Sequence, residues 1–262
     1  MFSKSVRRVR TVVGAVALGS ALFAAAAVNA DIVGDGFLII ATDQSSGESA
    51  SYTANVTWDG QAWSWASSDP IELRDPSNND LLGTINPVGD PLGSSIQYYQ
   101  DPVVAMNFSV QAGSSTTTFM VGSALLSFPT INGAEAVASA AFSVTDPIGD
   151  GAVLTGIGDP AGTQGGYLAQ YNGFAGTIAG TTFAELQQSV VAAPFSTNTV
   201  TQSFPGGSGM APIGDPVSDM STLVSFTLSP FDLASGTTSF SIVPEPASVV
   251  LLALGFCLVR RR

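Results

Sequence analysis

The chain has 262 residues and a formal charge of −12, with 20 acidic residues, eight basic residues and no histidine. Its only cysteine is Cys257, so no disulfide can form within the chain. Without histidine, and with one cysteine near the C-terminal end, a Ser-His-Asp triad, a Cys-His pair and the usual zinc ligand sets are excluded.

The first 30 residues have the parts of a secretory signal peptide. Four basic residues precede or border the apolar stretch 11–28, and Val28 and Ala30 supply the small residues that signal peptidase recognises. The sequence therefore predicts a signal helix, cleavage after Ala30 and an exported protein that begins at Asp31. Signal peptidase is the first partner that this predicts.

Residues 31–243 form the exported body, which is long enough for one domain with its own hydrophobic core. Arg74 is the only base in this body, against nineteen acidic residues, which gives a formal charge of −18. Such a body cannot neutralise phosphates, so nucleic acid is excluded as a partner and anionic membrane surfaces are disfavoured. Cation binding is compatible with this charge.

Short runs rich in Val, Ile, Thr, Phe and Tyr recur along the body, separated by Gly, Pro, Asn and Asp. They predict strands at 36–41, 51–58, 61–66, 95–99, 103–111, 116–121, 136–145, 151–157, 197–204, 221–228 and 237–243. Only 182–191 has apolar residues at helical spacing, which favours a helical turn there. The pattern as a whole predicts an all-β fold, an antiparallel β-sandwich or jelly-roll-like body.

Two segments of the body are similar to each other. Residues 87–91 and 212–216 both read Pro-x-Gly-Asp-Pro, and each precedes two predicted strands. Either a duplication has placed matching hairpins in two sheets, or the similarity is coincidental in a chain that repeats Asp-Pro at its corners.

Two loops share the pattern Asp-x-x-Gly-Asp-Gly and are candidates for a metal site. The first contains Asp31 and Asp35, and the second contains Asp146 and Asp150. Carboxylates beside a glycine-permitted turn offer the oxygen ligands that Ca²⁺ prefers. The alternative is a turn in which each carboxylate is satisfied by its own backbone. Apart from Ca²⁺, no cofactor is predicted.

A tryptophan-rich hairpin is the second candidate site. Asp59 and Gly60 predict a two-residue hairpin loop in which Trp58 pairs with Gln61. This register puts three indoles on one face of the hairpin: Trp58, Trp63 and Trp65. That face is either part of the core or an exposed aromatic platform that stacks on sugar rings.

The last nineteen residues form a separate three-part segment. It consists of Pro244, Glu245 and Pro246, the apolar run 247–259, and Arg260, Arg261 and Arg262. The prolines favour an exposed, extended segment, and the arginines keep the end of a short membrane helix on the cytoplasmic side. Thirteen residues at ~1.5 Å each span about 20 Å, less than the ~30 Å hydrocarbon core, so the helix is a weak permanent anchor.

The signal peptide and this tail together resemble the PEP-CTERM sorting proteins of Gram-negative bacteria. The resemblance covers residues 244–246 and 260–262. It implies processing by an exosortase, a membrane-embedded cysteine transpeptidase, after a transient stay in the inner membrane. It also implies delivery to the cell surface or the exopolysaccharide matrix. The domain division is then 1–30, 31–243 and 244–262, and the alternative for the tail is a plain membrane anchor.

These features predict an exported protein with no catalytic residues, structural or adhesive in an exopolysaccharide or biofilm context. Two alternatives remain from other classes. One is a calcium- or glycan-binding module. The other is a glycoside hydrolase built on a pair of carboxylates, for which Glu48, Glu72, Glu135 and Glu185 are available without any local spacing that links them.

Overall fold

The computed structural model describes residues 30–88, 93–158, 165–175 and 179–245, apart from the side chain of Asp35. Within these ranges the chain is all-β, and every regular element is a strand. None of the described residues forms a helix with the length and apolarity needed to span a bilayer. The predicted signal helix and C-terminal membrane helix, in residues 1–29 and 247–262, lie outside the described residues.

The strands follow one another with short connections. They are β1 (Asp31–Asp43), β2 (Ser49–Ala54), β3 (Thr57–Trp58), β4 (Ala62–Ser67), β5 (Ile71–Arg74), β6 (Leu81–Ile85), β7 (Ser94–Tyr99), β8 (Val103–Ala112), β9 (Thr117–Ile131), β10 (Ala134–Thr145), β11 (Ala152–Gly156), β12 (Tyr167–Tyr171), β13 (Thr181–Leu186), β14 (Ser189–Ala192), β15 (Thr197–Phe204), β16 (Ala211–Ile213), β17 (Val217–Leu228) and β18 (Leu233–Pro244).

The strands form two antiparallel sheets, which confirms the predicted all-β sandwich. One sheet has the order β13-β12-β17-β9-β1-β2, with β11 beside β17 and β14 beside β11. The other has the order β15-β10-β18-β8-β7-β4-β3, with β16 beside β10 and the β5–β6 hairpin attached through β6 to β8. The long strands β9 and β17 pair at the centre of the first sheet, and β10, β18 and β8 pair at the centre of the second.

The core lies between the inner faces of the two sheets. In β10 alternate residues from Ala134 to Val144 are buried, as expected for a strand with one face inward. Phe226 of the first sheet lies between rings of the second, with centroid distances of 5.6 Å to Phe108 and 6.3 Å to Phe142. These aromatic contacts join the sheets into one hydrophobic core.

Gly236 in β18 makes room for this aromatic packing. It lies between Phe142 and Phe108 in the register of the second sheet. A Cβ at this position would lie 2.5 Å from the Phe108 ring and 2.8 Å from the Phe142 ring. The missing side chain therefore lets the two rings meet edge to face, with their centroids 5.5 Å apart.

The strand pairs that follow the two similar segments are not hairpins. β8 belongs to the second sheet and β9 to the first, and β17 and β18 are divided between the sheets in the same way. Each pair therefore crosses the sandwich instead of pairing along its length. The connection from β8 to β9 and the connection from β17 to β18 each pass from one sheet to the other. Pairing therefore joins strands of the two different pairs, β9 with β17 and β8 with β18.

The predicted helical turn at 182–191 is wrong. The segment consists of β13 and β14, with Gln187 between them at a φ of 64°. On each side of this corner the buried residues alternate, Ala184 and Leu186 before it and Val190 and Ala192 after it. The helical spacing of Phe183, Leu186 and Val190 therefore joins residues of two different strands and does not mark one helical face.

Candidate functional site

Three acidic side chains meet at one end of the sandwich, where the inner strands of the second sheet finish. In the pairing of β10 with β18, Thr145 lies opposite Leu233, so the residues that follow and precede them, Asp146 and Asp232, become neighbours. The loop after Asp146 returns Asp150 to the same place. One carboxylate oxygen from each of these three residues, here called the acidic cluster, lies within 4.8 Å of the other two.

Asp146 fixes the loop that carries the cluster. Its Oδ1 accepts the backbone N–H groups of Ile148 and Gly149, at 2.9 and 2.8 Å. Its Oδ2 accepts those of Gly151 and Phe195, at 2.7 and 3.1 Å. Burial opposes ionisation, but the four donors outweigh it and hold the pKa of Asp146 below its usual value. Asp146 therefore matches the alternative expectation for this loop, a carboxylate whose hydrogen bonds come from the backbone.

Asp232 is the member of the cluster that the sequence patterns did not indicate. Its residue is 0 % exposed, and its Oδ2 accepts a hydrogen bond from the Ser229 hydroxyl. Its Oδ1 is buried without a hydrogen-bond partner among the described residues. Burial, and to a smaller extent the nearby charges of Asp146 and Asp150, raise the pKa of Asp232 to about 6, against the lowering effect of Ser229.

Asp150 completes the cluster at the surface. Its side chain is exposed, in contrast to the buried Asp146 and Asp232. No lysine or histidine occurs in residues 31–243, and the only base there, Arg74, is bonded to Glu72 at 2.8 Å. No basic side chain among residues 31–243 is therefore left to form an ion pair with these three carboxylates. Among the described residues this is the one place where three such groups come so close.

The first Asp-x-x-Gly-Asp-Gly segment does not form the expected loop. Asp31 to Gly36 lie within β1, with an irregular register against β9 between Val33 and Phe37. Asp31 is exposed, and its Oδ1 accepts the N–H of the next residue at 2.9 Å. The side chain of Asp35 lies outside the described part of the chain. The shared pattern therefore produces a bulged strand here and a true loop at Asp146.

The tryptophan hairpin has a different register from the predicted one. Trp58 pairs with Trp63, and the loop residues are Gly60 and Gln61. The Asp59 carboxylate accepts the N–H groups of Gln61 and Ala62, both at 2.8 Å, and Gly60 takes a φ of 102°. Asp59 therefore precedes the two central residues instead of being the first of them, because its side chain closes the turn.

The shift by two residues keeps the indoles on one face of the hairpin. Trp63 pairs with Tyr98 and Trp65 with Ile96 in β7, and both partners are fully buried. The Trp65 ring stacks on Phe37 of the opposite sheet at 4.9 Å, so Trp63 and Trp65 pack at the margin of the core. Trp58 lies beyond that margin, 43 % exposed, with its ring 4.4 Å from that of Trp63.

A shallow cleft of about 230 Å³ adjoins this hairpin. It is lined by Asp31, Ile32, Gly34, Gly36, Asn55, Val56 and Trp63. Asp31 and Trp63, which the sequence indicated for two different ligands, therefore face one cleft. An indole beside carboxylate and amide groups is the chemistry that sugar-binding surfaces use.

The described part of the predicted sorting motif is the end of the last strand. Pro244 is the final residue of β18, opposite Ala134, and the Glu245 N–H donates to the Gly133 carbonyl at 2.8 Å. Both Pro244 and Glu245 are exposed. Ala30, before the predicted cleavage, is buried next to β1. Val28, Pro246, Arg260, Arg261 and Arg262 lie outside the described residues.

The glutamates considered as hydrolytic residues are distributed over different elements. Glu135 lies in β10 and Glu185 in β13, one in each sheet. Glu185 accepts the N–H of Gly165, and Glu48 accepts the Asn78 amide at 3.1 Å. Glu72 is held by Arg74, whose hydrogen bond and charge lower the pKa of Glu72. These contacts are those of surface carboxylates that order loops and strand ends.

No family model matches the chain, and no curated protein matches it. Among solved structures, it has 13 % identity and a TM-score of 0.17 to a structure of the Gt strain of infectious bursal disease virus, over 83 % of this chain and 64 % of that one. A VP2 subviral particle of the same virus gives 11 % identity and a TM-score of 0.14, with coverages of 83 % and 67 %. The chain thus spans less than two thirds of the first of these structures. At these TM-scores the likeness carries no argument about function.

Proposed function

We propose that this protein is exported and sorted through its C-terminal tail to the cell surface or extracellular matrix, where the β-sandwich is structural or adhesive material. In this proposal a helical signal peptide directs export, and the short C-terminal helix and its arginines hold the protein briefly in the inner membrane. An exosortase then engages Pro244, Glu245 and Pro246. The released body is non-catalytic and associates with exopolysaccharide.

One observation carries the proposal: the motif begins where the sandwich ends. β18 is paired with β10 along its whole length, up to Pro244, and the next residue, Glu245, is exposed. A peptidase can therefore reach the motif by releasing only the last residues of β18, without separating the central strands. A cut after this point leaves both sheets with all their strands, which a signal embedded in a central strand would not allow.

Replacing Pro244, Glu245 and Pro246 together with alanine is expected to retain the protein in the inner membrane while export continues. The change removes the rigid, extended segment that precedes the membrane helix but leaves that helix and its arginines in place. Fractionation of cells that express the full-length chain measures the distribution. Mass spectrometry of the surface protein is expected to find a C-terminus within residues 243–246.

Replacing Arg260, Arg261 and Arg262 with alanine is the matched control for this experiment. It leaves the motif intact but weakens the stop to transfer, so it is expected to disturb orientation and not to trap the protein. An intact 247–262 peptide on extracellular protein would contradict sorting by cutting. The plain membrane anchor would then replace it.

The exposed Trp58 favours a second candidate function, glycan binding. Its ring extends the aromatic surface of Trp63 beyond the core, and Trp63 in turn lines the cleft that contains Asp31 and Asn55. Stacking on a sugar ring needs such an exposed indole face. Incubation with a panel of polysaccharides separates the candidates: retention without turnover supports a binder, and release of reducing ends supports a carboxylate hydrolase.

Two tryptophan variants separate packing from glycan binding. Trp63→Ala is expected to lower the free energy of unfolding by about 2–4 kcal/mol, because this half-buried indole packs against the core. Trp58→Ala is expected to cost about 1 kcal/mol or less, because this indole lies at the edge of the sheet. Denaturant unfolding and polysaccharide retention are measured on both. Unchanged retention in Trp58→Ala would rule out the platform.

A further inference from the structure

The buried oxygen of Asp232 is the polar group that the described contacts leave unexplained. An ionised carboxylate oxygen without a partner in a protein interior is costly, and such groups in native structures call for an ordered water, an ion or a functional role. Asp232 Oδ1 belongs to a residue that is 0 % exposed, and Asp232 is a member of the one group of three converging carboxylates among the described residues.

We propose that Asp232 Oδ1 and the carboxylate of Asp150 bind a hard divalent cation of the Ca²⁺ type, with Asp146 as a positioning residue. Ca²⁺ bonds to oxygen at 2.3–2.6 Å, so oxygens up to about 5 Å apart can contact one ion. One carboxylate oxygen from each member of the cluster meets this condition, since these three oxygens lie within 4.8 Å of one another.

The three carboxylates have different tasks in this site. Asp146 accepts four backbone hydrogen bonds, which fill the lone-pair positions of both its oxygens. It therefore holds the loop and contributes negative charge instead of a free ligand atom. Asp232 offers a buried oxygen without a competing donor, and Asp150 offers an exposed carboxylate at the mouth of the site.

A cation also resolves the charge imbalance at this end of the sandwich. The like charges of the cluster destabilise one another, and Arg74, the only base in the body, is bonded to Glu72. A divalent ion between Asp150 and Asp232 neutralises the two carboxylates that the backbone does not serve. Because Asp150 follows β10 and Asp232 precedes β18, the ion also ties together two loops that are distant in sequence.

The test uses protein expressed from the full-length coding sequence, purified from the extracytoplasmic fraction and freed of metal with a chelator. At a Ca²⁺ concentration of about 100 Kd, binding to the folded state multiplies the folded-to-unfolded ratio about 100-fold. For a body of this size that corresponds to a rise in Tm of about 5–10 °C. Isothermal titration calorimetry is expected to find one Ca²⁺ per chain. The result does not depend on how the tail is sorted.

Matched variants make the test specific. Asp232→Asn and Asp150→Asn are expected to abolish the Ca²⁺-dependent rise, whereas Asp101→Asn, at an exposed turn outside the cluster, is expected to keep it. Asparagine also imitates a protonated Asp232. If the site held only a proton, the wild type would not respond to Ca²⁺ and Asp232→Asn would melt at or above the wild-type temperature. MgCl₂ at equal concentration controls for screening. The proposal is overturned by no Tm change at millimolar Ca²⁺, or by a rise that persists in Asp232→Asn.

Discussion

Replacing Phe226 with alanine is expected to lower the free energy of unfolding by about 3–5 kcal/mol, a large part of the stability of a typical domain. Phe226 is 0 % exposed in β17, and its ring lies 5.6 Å from Phe108 and 5.8 Å from Phe119, between centroids. Its loss opens a cavity at the contact between the sheets, which strand hydrogen bonds prevent from closing. Denaturant unfolding at constant m-value measures the change.

Phe195→Ala is the matched control because it removes the same atoms from the surface. Phe195 is 75 % exposed; its backbone N–H to Asp146 is retained in alanine, and its ring covers Gly149 at the surface of the Asp146 loop. The expected cost is about 1 kcal/mol or less. Equal costs for the two variants would mean that the aromatic cluster around Phe226 does not carry the inter-sheet packing.

Long strands with one buried face were predictable from the sequence. β10 and β8 alternate between inward apolar and outward residues, and this period-two signal depends only on the pleat of a strand. Six shorter strands were not predicted: the patterns did not indicate β5, β6, β12 and β16, and they favoured a helical turn where β13 and β14 lie. In β12 every residue is buried, including Gln170, so the strand lacks the alternation that identifies a half-exposed one.

Turn chemistry was predictable only in part. The Asp146 loop and the tryptophan hairpin were located correctly, because Asp, Gly and Pro act on the backbone nearest to them. The register of the hairpin was not predicted correctly. The Asp59 carboxylate closes a turn whose central residues are Gly60 and Gln61, one residue later than the predicted pair Asp59 and Gly60. A local pattern thus indicated that a turn forms without determining which residues are central.

The acidic cluster contains two residues that a local sequence motif indicates and one that only the tertiary structure brings to the site. Asp146 and Asp150 share a motif and were singled out from the sequence. Asp232 follows Ser-Pro-Phe and matches no motif, and it reaches the cluster only through the pairing of β10 with β18. Its burial and its unpartnered oxygen are consequences of that pairing, so the sequence alone did not reveal the residue on which the cation site depends.

The other large expected effect is alkaline destabilisation by two buried tyrosines. Tyr98 and Tyr167 are both 0 % exposed. The Tyr98 hydroxyl donates to the Gly36 carbonyl and accepts the Ala124 N–H at 2.7 Å, which bridges the two sheets. The Tyr167 hydroxyl donates to the Ser239 carbonyl at 3.1 Å. Burial raises the pKa of both phenols well above 10, and the hydrogen bonds oppose this only in part.

Because the folded pKa values are raised, stability from these tyrosines is fully present below about pH 10 and is lost as the pH rises above it. Each phenol is expected to cost about 1.4 kcal/mol per pH unit in that range, or about 3 kcal/mol for the pair at pH 11. The signal is well isolated, because residues 31–243 contain no lysine and no histidine that titrate nearby.

Tyrosinate absorbance and tryptophan fluorescence, followed together against pH, test this expectation. The ionisation of two of the five tyrosines should coincide with loss of the folded fluorescence. Tyr99→Phe, at an exposed neighbour of Tyr98, is expected to leave that step unchanged. Tyr98→Phe is expected to unfold more easily at pH 7, because Gly36 and Ala124 lose their partner, but to show a shallower alkaline loss. If all five tyrosines ionised near pH 10 in a protein that stayed folded, the two hydroxyls would be open to water and the inter-sheet bridge would be absent.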